Sequence, residues 1–108
     1  MEPQDFKIHK IRIVKTPSGE APEWVRNAWV GLKIPIFGNQ NLPTVSTSHV
    51  GVLSRKKQQS FMVYRVLAIE AFELLMNLEA EEWWCDNCPH LFVGGMILTF
   101  EAEVCELV

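Results

Sequence analysis

The chain has 108 residues, of which 48% are hydrophobic and 21% charged, with a net charge of −3; these values fit one folded domain and exclude the low-hydrophobicity, high-charge regime of disordered chains. A membrane span needs about 20 consecutive apolar residues, and the longest candidate, Leu91–Phe100, is interrupted by Gly94, Gly95 and Thr99. The acidic start Met1-Glu2-Pro3-Gln4-Asp5 lacks the order of an export signal, and three cysteines make an odd count, so reduced thiols and a cytoplasmic location are expected.

Phe6–Lys15 is rich in β-branched residues, but Phe6 and Ile8 fall on one face and Ile11 and Ile13 on the other, which predicts a strand with a bulge near His9 and Lys10. Thr16-Pro17-Ser18-Gly19 ends it. Pro22 stands where a first helical residue tolerates proline, so a helical turn is expected over Pro22–Asn27. Trp29–Ile36 alternates, with Val30, Leu32, Ile34 and Ile36 on one face, and reads as a half-buried strand whose Pro35 belongs at a sheet edge. Phe37–Ser48 carries no charge and is dominated by Gly, Asn, Gln, Pro, Ser and Thr, the composition of a long loop.

His49–Leu53 and Phe61–Val66 predict a hairpin around the polar tip Ser54–Ser60. From Val66 the spacing becomes helical, with Phe72, Leu75, Met76 and Trp83 near one face. A single helix would crowd Glu79, Glu81, Glu82 and Asp86 at the end whose dipole disfavours anions. A break near Asn77 resolves this, giving helices over Val66–Met76 and Glu79–Asp86 that stop before Pro89. Met96, Leu98, Phe100, Ala102 and Val104 then alternate with polar residues as one final strand. The expected class is α+β in one domain: a small antiparallel sheet, either curved or partly closed into a barrel, with one or two helices before the last strand.

Charge is segregated along the chain. Ten basic and four acidic residues precede Val66 and leave +6, whereas the last 43 residues carry nine acids and no Lys or Arg, giving −9. Either the halves face each other in the fold or they present separate basic and acidic faces.

Trp84-Cys85-Asp86-Asn87-Cys88-Pro89 resembles the Trp-Cys-x-x-Cys of thioredoxin-like proteins. That motif opens a helix whose N-terminus stabilises the thiolate, whereas here a helical segment leads into the cysteines among acidic neighbours, so no membership follows. Cys85, Cys88 and His90 have a zinc-ligand spacing, but no second paired ligand motif accompanies them, and no metal or other cofactor is expected. The three histidines stand in no recognisable catalytic constellation, and Arg55-Lys56-Lys57 is too short a basic run in an acidic chain to argue for nucleic acid. Four tryptophans are hard to bury completely in a chain of this size.

The expected function is therefore a small non-enzymatic binding or accessory module contacting a protein partner or another copy of itself. Its candidate binding residues are Asn39, Gln40, Asn41, Leu42 and Val45 of the uncharged segment, with Trp24 and Trp84. The alternative is a structural zinc or thiol-redox protein using Cys85, Cys88 and His90.

Overall fold

The computed structural model describes residues 9–39, 42–49 and 58–108. The first sheet is built around β1 (Lys10–Ile13), which pairs antiparallel with β2 (Lys33–Pro35) on one side and with β6 (Cys105–Leu107) on the other. Alternation along β1 turns Ile11 and Ile13 fully inward. The Phe6–Ile8 half of the expected strand, and with it the proposed change of phase, lies outside the described residues. Pro35 sits on an edge strand, where its missing N–H leaves no gap in the ladder.

Between β1 and β2 the chain forms α1 (Glu23–Asn27), entered through Pro22 and burying Val25. The expected strand from Trp29 is corrected here, because its first half is a turn. Amide donors of Ala28, Trp29 and Val30 reach back to the carbonyls of Val25, Arg26 and Asn27. Gly31, at φ +92°, then reverses the chain and donates to the Ile13 carbonyl at 2.7 Å. These local bonds satisfy the backbone before the ladder begins, so only Ile34 and Ile36 of the apolar alternation are buried, while Val30 is exposed. Trp29, on the wrong face for the strand reading, is instead 2% exposed.

The second sheet has the order β3-β4-β5, from β3 (Thr44–His49), β4 (Gln58–Leu67) and β5 (Ile97–Glu101), all antiparallel. The hairpin exists, but its first strand begins at Thr44 rather than His49, with Thr44 opposite Val63 and His49 opposite Gln58. Phe37–Ser48 is consequently not a long loop: it holds a 3-10 turn at Phe37–Asn39 and most of β3. Thr and Val favour a pleated strand, and their ladder partners are too distant in sequence for local composition to reveal. The residues between the hairpin strands, including most of the basic tip, lie outside the described set.

Two helices follow, α2 (Ala68–Leu74) and α3 (Leu78–Asn87). The break falls where the dipole argument puts it: Asn77 Oδ1 accepts from the Ala80 amide at 3.1 Å and caps α3, whose first turn holds Glu79 and Glu81. α2 starts later than Val66 because Val66 and Leu67 still pair with Leu98 and Ile97. α3 closes with the Cys88 amide on the Trp84 carbonyl at 2.7 Å, ahead of a 3-10 turn at Pro89–Phe92.

The single C-terminal strand expected from alternation is also corrected, since a 3-10 turn at Ala102–Val104 divides it into β5 and β6. The turn carries the chain from one sheet to the other, and the Val104 carbonyl accepts from the Val14 and Lys15 amides at 2.8 and 3.4 Å. The α+β class holds, as two three-stranded sheets with no closed barrel among the described residues.

The core joins both sheets and all three helices, and its aromatic centre is Trp29. Its ring lies 5.6 Å from Phe72 of α2, 5.5 Å from Phe100 of β5 and 6.5 Å from Trp84 of α3. Replacing Trp29 with Ala is expected to cost about 3–5 kcal/mol, and Asn77→Ala about 1 kcal/mol through loss of the cap. Urea denaturation of the two variants checks both, and equal effects would contradict this division between core and cap.

Candidate interaction surface

The binding residues expected from the sequence do not form one surface. Trp24 is 49% exposed on α1 beside Glu23 and Asn27, whereas Trp84 is half-buried and stacks edge-on against Trp83 with ring centroids 5.1 Å apart. Asn39 closes the 3-10 turn, Leu42 is 71% exposed, and Val45 lies in β3 opposite Met62. Gln40 and Asn41 are outside the described residues. Conversion of the expected loop into an edge strand disperses this set.

Trp84 lines a cavity of about 100 Å³ together with Trp29, Phe100, Arg26 and the segment 17–21. That segment is held at both ends. Arg26 donates from Nε to the Ala21 carbonyl at 2.7 Å and from Nη1 to the Pro17 carbonyl at 2.9 Å. Both the amide and the hydroxyl of Ser18 donate to Glu101 Oε1, the amide at 2.9 Å. The cavity is therefore small and its rim is fixed, with Trp84 Nε1 buried without a partner.

The cysteines are free, with Cys85 exposed and Cys88 and Cys105 half-buried. Cys85 and Cys88 terminate α3, at the negative rather than the positive end of the helix dipole. His90 follows, exposed, in the 3-10 turn, and among the described residues no three His, Cys, Asp or Glu side chains converge as metal ligands. Burial pushes the Cys105 thiol up to about 12, and the Glu101 carboxylate adds to the rise. It is a packed, protonated thiol.

The surface that sequence reasoning missed lies across α2, α3 and the turn after them. Phe72 and Leu75 are buried as expected, but Met76, assigned to the same face, is 87% exposed, and Leu78 is 77% exposed. The α2 helix ends before Met76, so helical spacing no longer governs where its side chain points. Ile69 and Leu78 contribute exposed apolar surface to a shallow groove of about 340 Å³ floored by Phe72, Leu75 and Phe92. Val93, next in sequence to Phe92, is 63% exposed. The available signal was Met76-Asn77-Leu78 itself, two large apolar residues bracketing a helix cap.

Acids rim this groove. Glu73 and Glu81 line it, and Glu70, Glu79, Glu82 and Asp86 occupy the same two helices. None of the six makes an ion pair with a described residue. The oppositely charged parts of the chain meet through Arg12 and Glu106, at 3.9 Å across β1 and β6, an exposed pair worth about 1 kcal/mol or less. Among the described residues this is the one ion pair that joins the two halves, and the acids of the two helices make none.

At mildly alkaline pH, Cys85 is expected to alkylate first and Cys105 only after denaturation, because Cys105 is both half-buried and protonated. Peptide mapping after timed labelling measures this, and labelling of Cys105 at the Cys85 rate would contradict it.

No family model, curated protein or solved structure matches this chain.

Proposed function

We propose that this protein is a non-catalytic interaction module that docks a partner protein through the α2–α3 groove. One observation carries the reading: Ile69 and Leu78 expose large apolar side chains along one groove, and Met76 and Val93, next in sequence to its lining residues Leu75 and Phe92, are exposed as well. Keeping such surface in water forgoes roughly 25 cal/mol for each Å² left unburied, and a contiguous exposed apolar patch is the common mark of a docking surface. The odd cysteine count supports a reducing, cytoplasmic setting.

The test is affinity capture with the wild-type chain and with Met76→Ser/Leu78→Ser. Both positions are largely solvent-exposed, so the variant is expected to keep the wild-type melting temperature. Proteins recovered by the wild type are expected to be lost from the variant. Recovery of the same proteins by both chains rules the groove out as the docking surface.

A further inference from the structure

We infer that the groove's partner is a cationic amphipathic helix, an inference that rests on the docking role just proposed and adds the chemistry of the occupant. Three features of the site select it.

The first is charge. Glu73 and Glu81 line the groove, further acids flank it on both helices, and no Lys or Arg occurs anywhere after Arg65. Among the described residues, the cations on elements packed against these helices make no ion pair with the rim. Lys33 of β2 and Arg65 of β4 are exposed and pair with no described residue, and Arg26 of α1 is committed to the Pro17 and Ala21 carbonyls. A nucleic acid backbone or an anionic lipid surface would meet like charge here. A second copy docking the same face across a two-fold axis would also set acids against acids. Lys or Arg on the occupant instead finds complementary charge on the rim, which also steers its approach.

The second feature is the chemistry of the floor. Phe72, Leu75 and Phe92 form an apolar base with Ile69 and Leu78 beside it, so the inward face of the occupant must be apolar. The third is the backbone. The walls are helices and a 3-10 turn, whose N–H and C=O groups are largely turned inward to their own bonds, leaving no strand edge for an extended peptide to extend. A helix brings its own backbone hydrogen bonds and presents a continuous apolar stripe, whereas an extended segment would leave its amides unmatched against this floor.

The test uses the full chain and three synthetic peptides: a Lys/Leu/Ala amphipathic helix, the same helix with every Lys replaced by Glu, and the Lys peptide with its Leu positions scrambled. Binding is read by calorimetry and by chemical-shift mapping of α2 and α3. The Lys helix is expected to bind at the groove, more weakly as salt rises, while the scrambled and Glu peptides do not. Glu73→Lys/Glu81→Lys is expected to lower its affinity by about tenfold, and Met76→Ser/Leu78→Ser to lower it whatever the salt. Equal binding of the Glu helix overturns the charge assignment while leaving an apolar docking groove in place. If the Lys helix fails to bind although the Met76→Ser/Leu78→Ser chain still loses a protein recovered by the wild type, the occupant has been misassigned and the docking role stands. Self-association of the wild-type chain, abolished by Leu78→Ser, would replace the cationic helix with a second copy.

Discussion

Burial of Trp29 is the constraint on which the architecture depends. Its indole meets Phe72, Trp84 and Phe100, so one side chain ties the turn after α1 to α2, α3 and the second sheet. The first sheet reaches the same centre through Ile11, Ile13 and Ile34. Two small sheets bury little surface each, and each hides its apolar face by packing against another layer. The aromatic cluster supplies that layer, extended by Phe72 stacking on Phe92 at 4.3 Å.

The site inherits its shape from the same packing. Phe72 and Phe92 are shared between the aromatic core and the floor of the groove, so the proposed docking surface rests directly on the aromatic cluster. Asn77 ends the non-helical link between α2 and α3 with a cap, and Met76 and Leu78 on either side of it are exposed. The cavity beside Trp84 differs in kind: its rim is tied by Arg26 and Glu101, and its space is too small for a backbone to enter.

Segregation of charge along the chain becomes segregation in space only because the second part of the chain supplies both helices. β6 brings Glu106 to Arg12 and β5 brings Glu101 to Ser18, which draws a few acids into internal contacts. The acids of α2 and α3 have no such neighbour among the described residues. An apolar floor with an anionic rim follows, a combination that neither helix creates alone.

Much of the local structure is legible in the residues. Pro22 opens α1, Asn77 caps α3, Pro89 limits it, and the acids at 79 and 81 locate the break between helices, because each acts on backbone groups within a few residues. The α+β class and the antiparallel hairpin follow from periodicity for the same reason. What tertiary structure decided is everything set by distant partners. Thr44–Ser48 became a strand through pairing with Gln59–Val63. The run from Met96 to Val104 was divided because its end had to leave β4 and join β1. Trp29 went inward because Gly31 tied its turn to Ile13. The groove was hidden for a related reason: Met76 shares helical spacing with Phe72 and Leu75 in one dimension, and only the end of α2 before it shows that it leaves their buried face.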